Sequence, residues 1–348
     1  MKIAFITEHQ IGRLGVSKSP TAAGASARMR VTLPALGLRK HNIESTILSL
    51  HSSNQEESLF EQLQDARVVV VSKLFSARHL AFLKKIRLAN KRIIVDFCDN
   101  YFTGGMYKSL YHEIITIADH ITVNTEELSK IIKESGLWSR RIDVIPDQIE
   151  GMRQNAELAY KRERISSSMR LLAFGNRNVC VHLQGWLGKL KELSFIRSIS
   201  LEINTALSEE LIDWARNQRM NAPPEFSLTM SQWTEFGMED AMLRSDFVVI
   251  PGSDDEFEFG RAKSANRLVE SVWAGKPVIA YGYPAYMEFE GPSVALTKDP
   301  IVGYLKLQAA HNDRVSHIKS LQNNMSERFS EVPVSRLWYE AIAFSVKQ

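Results

Sequence analysis

Phe247-Val248-Val249-Ile250-Pro251-Gly252, and after a short loop Lys263-Ser264-Ala265-Asn266-Arg267-Leu268-Val269-Glu270-Ser271-Val272-Trp273-Ala274-Gly275-Lys276-Pro277-Val278-Ile279-Ala280, decide the fold. Four apolar residues closed by Pro-Gly read as a buried strand running into a loop. Lys263–Ala274 reads as a helix: Gly275 suits its C-terminal cap, and Pro277 prevents continuation. Pro277–Ala280 is the next buried strand. Strand, helix and strand in this order, with strands apolar on both faces, form a crossover unit of a parallel sheet covered by helices.

The same rhythm extends in both directions. Arg170–Phe174, Ser198–Asn204, Glu225–Met230 and Val294–Thr297 complete one series of strands. Lys2–Thr7, Glu44–Leu50, Arg67–Ser72, Arg92–Asp96, His120–Asn124 and Ile142–Ile145 form another. Helical patterns at Ser26–Lys40, Ala77–Asn90 and Glu126–Ser135 lie between the strands of the second series. The polar stretch Asp147–Ser168, with Arg153, Lys161, Arg162 and Arg164, interrupts the alternation. The expected organisation is a Rossmann-like domain over 1–147, a linker over 148–167, a second Rossmann-like domain over 168–330 and a terminal helix over 331–348. That helix, with Leu337, Trp338, Ala341, Ile342 and Phe344 on one face, is expected to pack back on the first domain. Two doubly wound α/β domains imply a cleft, with ligands beyond the carboxyl ends of the strands.

Composition narrows the function. Of 348 residues, 43 are Lys or Arg and 40 are Asp or Glu, a net charge of +3, which is too even for a dedicated nucleic-acid binder. Two cysteines, Cys98 and Cys180, exclude a disulfide scaffold and an all-cysteine metal site. No histidine lies at a metal-ligand spacing, so no metal and no cofactor are expected. No run approaches the roughly 18 apolar residues of a membrane span. Lys2–Thr7 reads as a strand rather than a signal peptide, which gives a cytoplasmic expectation.

Residues that follow strands are the candidates for chemistry. The Lys263–Ala274 helix would point its first amides at a ligand and suits a phosphate. Lys263 and Arg267, four apart, add positive charge on one side. Glu270, one turn beyond Asn266, is placed to accept from a ribose diol. After the first strand come Glu8 and His9, then Gly24, which permits close backbone approach, Ser26 as a helix cap, and Arg28 and Arg30, of which only one can face the sheet. The fourth strand ends in Asp96-Phe97-Cys98-Asp99, where Asp99 is a candidate base for an acceptor hydroxyl, with Glu8 and His9 as rivals. Asp96 could instead pair with Arg92. Trp233, after Glu225–Met230, is either rim packing or a surface for a base. Ser76–Arg92 carries Arg78, Lys84, Lys85, Arg87, Lys91 and Arg92 without an acid, which suits either a solvated face or an anionic lipid surface.

Ser245–Pro251, Lys263–Glu270 and Ala274–Ala280 resemble the carboxyl-terminal domain of GT-B glycosyltransferases, most closely the family-four-like bacterial enzymes of surface-polysaccharide synthesis. The resemblance in motifs covers about 40 residues. It implies a nucleotide-sugar donor held by the second domain and an acceptor, a glycan or lipid-linked glycan, at the first. Contact at the inner membrane would follow from a lipid-linked acceptor. It further implies that Gly175 and Arg177, after the strand Arg170–Phe174, lie at the diphosphate, with Lys263 stabilising the leaving group and Asn266, Arg267 and Glu270 binding donor. It places Trp233 near the base and a glycine-bearing loop at Gly24 near the phosphate. Two departures stand out. The position eight before Glu270 holds Ala262 where the family carries a glutamate, with Glu256 and Glu258 out of register. Five positions after Arg177 stands His182, not lysine. Retention at the anomeric carbon is the family expectation, while inversion with Asp99 or Glu8 as base stays open. A nucleotide-sugar epimerase and a non-catalytic nucleotide- or glycan-binding subunit are the alternatives.

Overall fold

A computed structural model describes residues 1–14, 19–22, 24–51, 56–165, 167–254 and 260–347. Glu256 and Glu258 fall outside the described residues. The chain divides into two compact units. Unit 1 comprises Met1–Gln148, Glu258–Ser264 and Arg328–Gln348; unit 2 comprises Ile149–Phe257 and Ala265–Glu327.

Unit 1 is built on β1 (Lys2–Thr7), β2 (Glu44–Ser49), β3 (Val68–Ser72), β4 (Arg92–Phe97), β5 (His120–Val123) and β6 (Ile142–Val144). All pair in parallel, in the order β2-β1-β3-β4-β5-β6. The chain steps one way from β1 to β2 and the other way from β3 onward, so the direction reverses between β1 and β3. Val68–Ser72 is buried along its whole length, as a central strand covered on both faces requires.

Unit 2 repeats the plan with β7 (Met169–Phe174), β8 (Ile199–Thr205), β9 (Phe226–Gln232), β10 (Phe247–Ile250), β11 (Val278–Ala280) and β12 (Val294–Leu296). The parallel order is β9-β8-β7-β10-β11-β12, and the reversal falls between β7 and β10. All twelve strands expected from the sequence are present, with ends shifted by a residue or two. The segment after Ile149 carries a helix, Ala156–Ile165.

Three local expectations change. The Ser26–Lys40 helix is composite: an α-turn at Ala25–Ala27, a π-helical turn at Arg28–Thr32, an α-turn at Leu33–Gly37 and a 3-10 turn at Leu38–His41. Pro34 lacks the N–H that would bond one turn back, and the backbone widens just before it. Arg28 and Arg30 are both buried, but only Arg30 reaches the sheet, at Asp96, while Arg28 donates to Ala22 O. Gly24, not Ser26, occupies the cap position.

The Lys263–Ala274 helix is the third: it begins at Asn266 and ends at Trp273, so Lys263 precedes the helix and shares no helix face with Arg267. The cause is tertiary. Ala262 is buried in the unit 1 core, its carbonyl accepts from Thr125 Oγ1 at 3.3 Å, and Arg261 pairs with Glu127 at 2.5 Å. Gly260–Ser264 is thereby held with unit 1 and cannot also wind onto the helix.

The Glu331–Lys347 helix belongs to unit 1. Trp338 is fully buried, edge-on to Phe5 at 5.9 Å and beneath the Arg30 guanidinium at 5.2 Å.

Candidate active site

In unit 2 the reversal brings the end of β7 beside the end of β10. Gly175 follows β7 directly with φ +146, a conformation that favours glycine. A Cβ there would lie 3.6 Å from Arg267 Cδ and 3.7 Å from Nη1. Arg267 also hydrogen-bonds the buried Tyr286, whose phenol is raised by burial and partly restored by the Arg267 cation. Ala265, at the helix cap position, makes no side-chain cap, and Asn266 Oδ1 accepts from the Arg267 amide at 2.7 Å. Gly175, Asn266 and Arg267 are thus brought together at the carboxyl edge of the sheet. Arg177 is exposed at the start of the Asn178–Ser194 helix on the same loop. Trp233 is half-buried just after β9, its amide donating to Thr205 O at 2.9 Å.

Glu270 is engaged otherwise. Its Oε1 accepts from the Glu150 amide at 2.6 Å and its Oε2 from the Gly151 amide at 3.2 Å. Trp273 Nε1 donates to Gly151 O at 3.0 Å, and Gln322 Nε2 donates to Gln154, Val272 and Trp273 carbonyls. Gly275, with φ +72, lets the helix end approach Gln154 and Ala156, where a Cβ would come within 3.2 Å of backbone. These contacts strap the segment after Ile149 along the helix.

In unit 1 the same logic applies to the ends of β1, β3 and β4. Asp96 is spent on structure: Arg30 Nε and Nη2 donate at 3.0 and 2.5 Å, Ser72 Oγ at 3.0 Å and Thr122 Oγ1 at 2.8 Å. Four donors fill a carboxylate's four lone-pair sites. The alternative of an Asp96–Arg92 pair does not form, since Arg92 joins Asp119. Arg28 is buried, donating to Ala22 O at 3.0 Å. Asp99, with its side chain 40% exposed, forms an ion pair with Lys73. Glu8 accepts from the Phe75 amide at 3.2 Å. Burial raises its carboxyl above the usual range, opposed by that amide and by Lys73. The His9 ring lies against Gly24, 3.5 Å from the position a Cβ would take, and burial and the Lys73 cation depress its imidazole. Lys73 escaped the sequence reading although it is the first residue after β3; the rule of examining strand ends, applied there, would have found it.

The basic Ala77–Leu88 helix finds its acids on neighbouring elements: Arg78 pairs with Glu56, Lys84 with Glu113 and Arg87 with Asp119. Among the described residues no group of three His, Cys, Asp or Glu side chains could hold a metal, and no helix is long and apolar enough to cross a membrane.

No family model and no curated protein matches the sequence. Solved structures do. The Anabaena protein Alr3699/HepE, crystallised with UDP, superimposes with a TM-score of 0.69 at 13% identity over 99% of this chain and 100% of its own. The fold is that of the GT-B glycosyltransferases. A glycosyltransferase from Rickettsia africae gives a TM-score of 0.65 at 12% identity over 100% and 99% of the two chains. A putative UDP-N-acetylglucosamine 2-epimerase from Listeria monocytogenes gives 0.61 at 13% over 99% and 96%.

Proposed function

We propose that the protein is a glycosyltransferase that moves a sugar from a nucleoside-diphosphate sugar to a hydroxyl of a glycan or lipid-linked glycan, in bacterial cell-surface polysaccharide synthesis. The observation that carries this is the meeting of Gly175 and the Arg267 guanidinium, 3.7 Å from the Gly175 Cβ position, at the reversal point of the unit 2 sheet. Backbone without a side chain, a fixed cation and a helix start suit a diphosphate. The diphosphate gains charge as it leaves, so cations held ready for it lower the barrier. Arg267 and Arg177 take that role here, with Asn266 at the helix start and Trp233 beside the base. Unit 1 takes the acceptor, whose hydroxyl meets the carboxylates after β1 and β4, Glu8 and Asp99.

Thermal denaturation with UDP, GDP, ADP, CMP and TDP tests the donor half. One nucleoside diphosphate is expected to raise the Tm by mass action. Arg267→Met is expected to abolish that rise while leaving the unliganded Tm within a few degrees. No stabilisation by any of the five would refute the reading. The epimerase alternative is supported by the structural likeness to the Listeria protein. It predicts conversion of the nucleotide sugar without any acceptor, whereas transfer requires one.

A further inference from the structure

β8 lies between β7 and β9 in the unit 2 sheet, and its last two residues touch both neighbours. The Gly175 amide donates to Asn204 O at 3.2 Å, and the Trp233 amide donates to Thr205 O at 2.9 Å. A ligand laid across these strand ends would pass from Gly175 over Asn204 to Trp233. The face of the sheet agrees as well. The crossovers from β9 to β10 and from β10 to β11 run in one direction, so right-handed connections put the Glu235–Arg244 and Asn266–Trp273 helices on one face. Glu202 pairs with Arg244 of the first of these helices, and Asn204, two positions on, turns to the same side. Arg267 stands on the second.

Asn204 is fully buried, and a chain of hydrogen bonds fixes its amide. Arg244 Nη2 donates to both Glu202 oxygens, at 2.9 and 3.1 Å. Ser231 Oγ donates to Glu202 Oε1 at 2.7 Å, which uses its single proton. The Asn204 atom 2.9 Å from Ser231 Oγ must then be a donor, Nδ2. Oδ1 is turned away from it and has no partner among the described residues. A buried acceptor without a donor is rare and calls for a reason. Thr205 Oγ1 is also buried without a partner among the described residues, but alternation along the strand turns it to the opposite face.

We infer that Asn204 Oδ1 accepts from a ribose hydroxyl of the donor nucleotide, and that this contact makes unit 2 selective for ribonucleotides over deoxyribonucleotides. The inference rests on the glycosyltransferase reading, which puts the diphosphate at Gly175 and Arg267 and the base beside Trp233. In any nucleotide the ribose joins those two groups. Neighbouring strands stand about 4.8 Å apart, so the group next to the diphosphate falls over β8. Its hydroxyls are donors that every ribonucleotide carries, whatever the base. Glu270, the carboxylate that the sequence suggests for this sugar, is spent on the Glu150 and Gly151 amides. Asn204 supplies an acceptor in its place, and the Arg244–Glu202–Ser231 chain holds that acceptor in one orientation.

The test uses the full chain and calorimetric Kd values for UDP, GDP, ADP, CMP and TDP, each compared with its 2′-deoxy and 3′-deoxy forms. The ribose form that binds is expected to bind about 10-fold more tightly than one of its deoxy forms, the upper range for one hydrogen bond. In Asn204→Ala the ribose form should weaken by that factor while the deoxy form does not, so that the ratio falls to about 1. A merely structural role would weaken both forms alike and keep the ratio. Ser231→Ala leaves Asn204 in place but frees its amide to turn, so the ratio should fall part of the way. That variant decides the matter if Asn204→Ala does not fold. A parent protein that binds both deoxy forms as tightly as the ribose form overturns the inference alone. So does a ratio that keeps its parent value in either variant. Failure of every nucleotide to bind overturns the glycosyltransferase reading, and the inference with it.

Discussion

Glu270 separates what a residue type suggests from what its neighbours make of it. A glutamate one turn into a helix behind a strand-end loop is chemically suited to a ribose, and the sequence says nothing against that. Its two oxygens instead hold the amides of Glu150 and Gly151. The Gly151 amide is half-buried and the Glu150 amide exposed, so losing this acceptor should cost about 1 kcal/mol, the low end for an unsatisfied group. Glu270→Ala is therefore expected to lower the midpoint of urea unfolding by a corresponding amount, with the m-value unchanged. A ribose ligand would behave differently: stability would stand and nucleotide affinity would fall. Lys73 is the converse case. A lysine after a run of valines looks like strand punctuation, and only the pairing order of β1, β3 and β4 brings it to Glu8 and Asp99. Asp96 and Asp99 differ by three positions and equal chemistry. The Arg30 side chain that consumes Asp96 comes from 66 residues away, a distance no local pattern encodes.

At the scale of elements, strands were legible because a parallel strand is apolar on both faces, and Val68–Ser72 or Phe247–Ile250 have no other stable placement. Helix starts were less so. Lys263 continues the helical pattern, yet Ala262 sinks into the unit 1 core and Arg261 joins Glu127, which ends the turn before the helix begins. This anchor makes a pH prediction. The Arg261 hydrogen bond chiefly lowers the Glu127 carboxyl below the ordinary glutamate range, against a smaller effect of burial. A carboxylate lowered in the folded state stabilises above its unfolded pKa, and that contribution is lost as pH falls through the folded value. Both side chains keep some exposure, so the contribution should be small, about 1 kcal/mol or less after solvent screening. Glu127→Gln should lower stability by that amount at pH 7 and converge with the parent protein below about pH 3, measured by urea unfolding across pH. Equal differences at both pH values would show that Arg261 is held by something else.

Along the chain the two units are interleaved rather than consecutive. Unit 2 is a chain insertion within unit 1: it begins at Ile149, yields Glu258–Ser264 back to unit 1, and ends at Glu327 before the final segment returns. The unit 1 core is therefore incomplete until the last residues are made. Ala262 and Trp338 are both almost fully buried in unit 1, in two separate apolar clusters, and Trp338 lies with Val334, Ala341 and Ile342 against Phe5, Val31 and Ile94. Domains commonly fold in order from the N-terminus during synthesis; here the N-terminal sheet alone lacks the helix that covers one face. A fragment ending at Gln148 should accordingly bind a dye for exposed apolar surface and unfold without a cooperative transition. In the full chain, Trp338→Ala removes a large buried ring and should cost about 3 to 5 kcal/mol. Trp338→Phe should cost less, because Trp338 Nε1 is buried with no partner among the described residues, so its loss leaves no bond unmade. The nucleotide supplies the control. It binds unit 2 in the proposed reading, so calorimetry should show the Trp338→Ala loss in one transition and the nucleotide gain in another. A cooperative, dye-free fragment ending at Gln148 would mean that the terminal helix is a cover rather than part of the core, and the order of completion argued from the chain path would fall with it.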